Sequence, residues 1–425
     1  MDAPEELHRK IDDIHRAEWG RSVAGLCKLS GDVQLAEDCV QEAFVIAVRS
    51  WEQSGIPDNP GGWIRTVARR RLIDFARRRR TQITSAARLL IEAELNSTTE
   101  LDDSGVIDSV IDDDELALIF LCCHPSISPT DQVMLTLRIV AGMPPRDIAT
   151  AFFADHEAVR TRLLRAKRKI RSAKIPIALP SAEKIEQRFQ QVHTVIYLIF
   201  NEGYLASRGE IAQRADLTRE AIRLSAKLIA LAPNNYESHG LYALLLLTDA
   251  RTPARVGDAD MLVTLERQNR DLWRKDQIVE GFNHLRKAMA RQGPGKYAIQ
   301  AAIAAEHAKA ATYAETNWSA IVGLYDRLIA LENSPVYQIN RCVALSFAEG
   351  PLRALDLLSD LGQGNILADS YQLHATRADL LARIGKLEEA ITNYQLAIDQ
   401  LENGAVKSFL HNRIDQLRKT QTLKD

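Results

Sequence analysis

Residues 59–80, NPGGWIRTVARRRLIDFARRRR, combine a helix start, an apolar stripe and a surface of one charge sign. Asn59 is a good N-cap, and Pro60 fits the first helical turn, where the missing N–H costs nothing. Trp63, Ile64, Val67, Ala68, Leu72 and Phe75 then recur at three- and four-residue steps, which predicts one buried face. The other face is Arg65, Arg69, Arg70, Arg71, Arg77, Arg78, Arg79 and Arg80 against the single acid Asp74. Solvated helices usually mix signs, because like charges one turn apart repel. An arginine surface this uniform points to a polyanion, and the helix reads as a nucleic-acid contact rather than as a merely solvated face.

Working outward, 425 residues allow two to four domains with substantial cores, and 26% charged with 46% hydrophobic residues is an ordinary globular balance. The net charge is only −2, so the basic surface is local. Its counterweight is the stretch 81–115, where Glu92, Glu94, Glu100, Asp102, Asp103, Asp108, Asp112, Asp113, Asp114 and Glu115 face Arg88 alone. Cys27, Cys39, Cys122, Cys123 and Cys342 form no CxxC pair, which predicts buried thiols in a reducing cytosol and no metal site. The polar start MDAPEELHRK does not read as a signal peptide, and the longest apolar run, Leu241 to Leu247, is too short to span a bilayer. A cytoplasmic protein without membrane contact is expected.

Residues 1–80 read as a compact helical domain. On its second helix Asp38, Gln41 and Glu42 share an exposed polar face opposite Val40 and Phe44. An acidic linker, 81–114, follows; low hydrophobicity and one-signed charge predict flexibility. Residues 115–175 read as a second helical unit: an apolar stretch from Asp131 to Val140, a break at Gly142, a helix from Pro145, then a helix capped by Asp155. Two short helices across a tight turn, the second basic, read as a helix-turn-helix. Val159, Leu163, Ala166 and Ile170 form the inner face of that second helix, which leaves Arg160, Arg162, Arg165, Lys167, Arg168 and Lys169 for DNA or for an acidic partner helix.

GDVQLAEDCVQEAFVIAVRSW followed by NPGGWIRTVARRRLIDFARRR resembles region 2 of extracytoplasmic-function RNA polymerase sigma factors, and HEAVRTRLLRAKRKI resembles the promoter-reading helix of sigma region 4. The resemblance implies that Asp38, Gln41 and Glu42 contact the β′ clamp of polymerase core, with Phe44 packing behind them. It assigns Asp58, Asn59, Arg65, Arg69 and Arg70 to the −10 element, and His156, Arg160, Arg162 and Arg165 to the −35 element. Trp63 is spaced with Val67 for core packing rather than for stacking on a base. The linker is either a plain tether or, as the family suggests, a segment drawn to a basic RNA-exit path.

Residues 181–425 carry degenerate helix-pair repeats. In ATRADLLARIGKLEEAITNYQLAI, Ala378, Gly385, Ala390, Tyr394 and Ala397 fall at tetratricopeptide spacing, which predicts a helical solenoid. With DARTPARV, LYDRL and NRCVAL, this part resembles the long C-terminal extension of one subgroup of these sigma factors, and a solenoid of this kind offers a surface for a protein partner or regulator. No phosphate-binding loop, HExxH or nucleophile–base motif is present, so no catalytic residue, cofactor or metal is assigned. His193, His239, His284, His307 and His374 read as satisfied structural histidines, and Glu202 and Asp249 as hydrogen-bonding groups between repeats. The expectation is an all-α sigma factor that is not itself an enzyme; a helix-turn-helix regulator with a repeat-built sensor domain and a repeat scaffold with incidental basic patches are the alternatives.

Overall fold

The computed structural model describes residues 3–78, 114–152, 154–181, 183–206, 213–257, 262–290, 293–362 and 370–422. The expected linker at 81–114 lies outside the described residues except for Asp114, as do Arg79, Arg80 and the side chains of Arg77 and Arg78. The chain is all-α; among the described residues the one β feature is an isolated bridge between Val256 and Leu262. Two compact units are present, Met1–Leu198 and Ile199–Asp425.

The first unit opens with α1 (Ala3–Ser30), α2 (Val33–Ser54) and α3 (Pro60–Arg78). The carboxylate of Asp32 caps α2 by accepting from the Gln34 and Leu35 amides. Asn59 Oδ1 accepts from the Gly62 amide at 2.8 Å, so the arginine helix begins where its cap residue predicts. Trp19, Val23 and Cys27 of α1 are buried with Val40, Phe44, Ala47 and Trp51 of α2 and Ile64, Ala68 and Leu72 of α3. Phe75 departs from the expected stripe: it is 37% exposed, because burial along α3 ends one turn earlier, at Leu72.

Residues 114–122 form α4, and α5 (Pro129–Leu135) runs into a π-helical turn at Thr136–Val140. Gly142 stops it at φ +73°, a conformation that disfavours a side chain. Then come α6 (Pro145–Ala151) and α7 (His156–Ser172), the latter capped by Asp155 Oδ1 at 2.8 Å from the Ala158 amide. Val159, Leu163, Ala166 and Ile170 are buried, as the periodicity predicts. The π turn closes on α1 through Trp19, whose indole N–H donates to the Ile139 carbonyl at 3.1 Å. Gly20 permits that approach, since a Cβ there would lie 2.7 Å from the Val140 carbonyl oxygen. The start of α8 (Ile185–Tyr204) belongs to this unit: Phe189 meets the Phe120 ring edge-on at 5.1 Å, and Arg188 donates to the Phe120 carbonyl.

The second unit continues with α9 (Ala215–Leu231), α10 (Tyr236–Asp249), α11 (Lys275–Met289), α12 (Lys296–Lys309), α13 (Trp318–Leu331), α14 (Pro335–Ala348), α15 (Pro351–Gly362), α16 (Tyr371–Arg383), α17 (Leu387–Asp399) and α18 (Gly404–Thr422). Consecutive helices from α9 onward pack on one another. The apolar run Leu241–Leu247 is the buried interior of α10, and no helix among the described residues is long and apolar enough to cross a membrane. Ala378, Tyr394 and Ala397 share a core with Leu410 and Ile414, and Gly385, at φ +83°, makes the turn between α16 and α17. Asp249 holds α10 to α11 by accepting from Arg274 at 2.6 Å and Gln277 at 3.0 Å.

All five cysteines are buried and unpaired. Burial pushes the Cys39 thiol up to about 11 and the Cys123 thiol to about 12, which keeps both protonated.

Candidate functional site

On α2, Asp38, Gln41 and Glu42 are exposed and Phe44 is buried behind them. Partial burial raises the Asp38 carboxyl above its ordinary value. A hydrogen bond from the Gln34 amide at 2.8 Å pulls the other way, and the nearby Glu37 adds to the rise. Glu42 lies 3.7 Å from Arg71, so this acidic face borders the arginine surface of α3 directly. The fold therefore brings together two features that are 29 residues apart in the chain (71 − 42).

Around α3 the candidate −10 residues divide. Asp58 and Arg70 are exposed and Arg69 is half-buried. Arg65 is instead paired with Glu18 of α1 at 2.6 Å, and Asn59 spends its carbonyl oxygen on the cap. Trp63 sits 5.4 Å from Trp51 between ring centroids, the core packing its spacing predicts.

On α7, Arg160, Arg162 and Arg165 are exposed and His156 is half-buried. Arg160 pairs with Glu157 at 3.3 Å, Arg162 with Asp131 at 3.0 Å, and His156 Nδ1 stands 3.7 Å from Glu157. Lys167 departs from the expected DNA face. Its side chain is 10% exposed, and its ammonium donates to Glu37 and, at 3.0 Å, to Gln34. Arg171 likewise reaches Asp32. Glu37 is buried and also accepts from Arg138 at 2.6 Å, whose guanidinium lies 5.1 Å from the Trp19 ring centre. One carboxylate thus holds two cations, and α7 is fastened to α2 beside the Asp38 face.

Glu37 and Arg138 were absent from the sequence-derived candidates, although both carried a signal. Glu37 lies four residues after Val33 and three before Val40, on the buried stripe of α2, and Arg138 interrupts the apolar run of the π turn that follows α5. A charge on an apolar stripe calls for a partner of opposite sign, since burying it alone is costly.

Two family models match the chain. Sigma-70 region 2 covers residues 17–82, which is α1 from its middle through α3 with the Asp38 face and the arginine surface. A family of unknown function, DUF6596, covers residues 188–289. The chain is 38% identical over 398 residues to "Uncharacterized protein R00370" of Rhizobium meliloti (strain 1021), covering 93% of each chain. It is 28% identical over 181 residues to "Probable ECF RNA polymerase sigma factor SigI" of Mycobacterium tuberculosis, covering 41% of this chain and 59% of that one. With the region 2 match lying on the helices that carry the acidic face and the arginine surface, the chain contains a sigma-70 region 2 domain, and along nearly its whole length it belongs to one family with the Rhizobium meliloti protein.

Proposed function

We propose that this protein directs promoter-specific initiation as an extracytoplasmic-function sigma factor of a subgroup with a long helical extension. Residues 1–80 act as region 2, 81–114 as the linker, 115–175 as a region 4 helix-turn-helix, and 181–425 as a tetratricopeptide-like domain that regulates the protein or binds a partner. Asp38, Gln41 and Glu42 dock on the β′ clamp of polymerase core. Asp58, Asn59, Arg65, Arg69 and Arg70 serve the −10 element, and His156, Arg160, Arg162 and Arg165 the −35 element. Polymerase carries out the chemistry, in the cytoplasm, and this chain supplies recognition.

The observation that carries this reading is the exposed Asp38/Gln41/Glu42 face bordering an arginine helix through the Arg71–Glu42 pair. A DNA-binding regulator has no use for an acidic protein-docking face at that position. Reversing Glu42 to Lys leaves stability within about 0.5 kcal/mol, as exposed substitutions usually do. The expected outcome is a loss of affinity for polymerase core of at least tenfold in competition binding, with run-off transcription falling in parallel. Unchanged core affinity overturns the reading in favour of a conventional helix-turn-helix regulator.

A further inference from the structure

In the first unit a groove of about 590 Å³ lies between the α1–α2 turn and the C-terminal end of α7 with the residues that follow it. Leu164, Lys167, Arg168 and Arg171 recur at three- and four-residue steps, so one flank of α7 forms a wall of this groove. With Lys28 from α1 and Lys174 beyond α7, five cations line it against the single acid Asp32. Asp32 is already engaged by the α2 cap and by Arg171, and Lys167 is engaged by Glu37. Arg168 and Lys174 are exposed and have no acidic partner among the described residues. The lining is also apolar: Leu164 is 42% exposed, and Ile175 and Ile177 are half-buried.

Lys174 adopts φ +48°, a conformation that favours glycine, because the chain reverses there and the Ile175 amide donates back to the Ile170 carbonyl at 3.1 Å. A lysine at that position carries strain that glycine would avoid, and what it adds is a cation at the groove. The occupant is indicated by the chain that enters at the other side. Asp114, the first residue of α4, pairs with Lys28 at 2.8 Å, which tethers the preceding residues to the groove's edge. Residues 107–113, IDSVIDD, lie outside the described residues; their sequence supplies Asp108, Asp112 and Asp113 with Ile107, Val110 and Ile111, and no cation. Seven residues reach up to about 23 Å when extended, whereas Leu164 to Arg171 covers about 11 Å of helix.

We propose that the groove between the α1–α2 turn and α7 is the docking site of the acidic segment 107–113 of the same chain in the free protein. Its carboxylates meet Arg168 and Lys174, and its aliphatic side chains cover Leu164, so charge and apolar surface are matched together. A tether this short gives an effective concentration of about 1 mM, so an intrinsic Kd of only about 0.1 mM leaves the groove about nine-tenths occupied. The segment then presents acids to α7 as a phosphate backbone would. Any nucleic acid that uses Arg168 or Arg171 has to displace it. The inference rests on the groove and its tether, and it stands whether or not the residues proposed for polymerase and promoter are correctly assigned.

The test is amide hydrogen exchange of the full chain, read by mass spectrometry on peptides covering 107–113 and 174–177. A segment docked nine-tenths of the time exchanges about tenfold more slowly than a free one. The expected result is that slowing in low salt, and its loss at about 1 M salt, where charges are screened beyond about 3 Å. Arg168→Glu with Lys174→Glu should abolish the slowing of 107–113 while α1 to α3 exchange as before. Adding Asp112→Lys with Asp113→Lys to that variant should restore it, which a merely misfolded protein cannot do. The proposal is overturned if 107–113 exchange at the free rate in the unaltered chain, if the slowing survives Arg168→Glu with Lys174→Glu, or if the swapped pair fails to restore it. Slowing at 174–177 that appears only when duplex DNA is added also overturns it and assigns the groove to nucleic acid.

Discussion

Glu37 and His307 are the residues whose environments most sharply constrain behaviour. Glu37 is a buried carboxylate between Arg138 and Lys167, and removing one member of such a group leaves uncompensated charge in the interior. Glu37→Gln is therefore expected to cost about 3–5 kcal/mol in urea unfolding, whereas Asp38→Asn one residue away, on the exposed face, should cost under about 1 kcal/mol. His307 is held down to about 3 by burial first and by Arg251 and Arg270 next. Its folded value lies below the unfolded one, so the unfolded chain takes up a proton that the folded chain refuses. Stability is unaffected above about pH 6.5 and is lost as the pH falls from there towards 3, by roughly 2 kcal/mol at pH 5. His307→Leu should flatten the unfolding free energy between pH 6.5 and 5, and an unchanged slope would assign the acid sensitivity to other groups.

At the scale of elements, helix starts here serve both folding and recognition. Asn59 caps α3 with its carbonyl oxygen while its amide N–H groups stay available for a base. Two substitutions separate the roles. Asn59→Ala should lower stability by about 1 kcal/mol, and Asn59→Asp should retain the cap. If Asn59 reads the −10 element, Asn59→Asp impairs promoter opening at full stability; if it only caps, the aspartate variant transcribes normally. The Asp155 cap on α7 and the glycine stop at Gly142 likewise set the angle at which α6 and α7 meet.

For the whole molecule, spacing is the controlling fact. Elements named −10 and −35 lie about 25 base pairs apart, or roughly 85 Å at 3.4 Å per pair. With Lys167 of α7 bonded to Glu37 of α2, and α2 packed on α3, the two proposed readers stand within two helix packing distances, about 20 Å. On the proposed function, reading both elements requires these contacts to part, and Glu37→Gln is then expected to ease that separation. The first unit also extends beyond α7. A fragment of residues 1–173 loses Arg188 and Phe189, which cover Phe120, while residues 1–198 keep them. The shorter fragment should unfold at lower denaturant, by about 3 kcal/mol, the usual cost of stripping an aromatic from a core. Equal stabilities would mean that α8 contributes nothing to the first unit. A functional comparison of truncations is therefore cleaner at residue 198 than at 173.

Local patterns in the sequence determine the helices and much of the site. Asn59-Pro60 starts α3, Gly142 ends the π turn, Asp155 caps α7, and the apolar stripes at Val40 and Val159 put Asp38 and Arg160 on the outside. These are consequences of one turn of backbone and of 3.6-residue periodicity, which need no distant partner. Tertiary structure alone decided which charges are spent internally. Lys167 and Arg162 look alike in sequence, yet Lys167 is drawn onto Glu37, which precedes it by 130 residues, while Arg162 stays exposed beside Asp131. Arg65 is taken by Glu18 and Phe75 is left outside for the same reason: pairing and burial depend on which helix arrives opposite, and no local pattern encodes that. Arg270 meets the carbonyls of His307 and Ala310 only when the segment after α10 folds back on the end of α12.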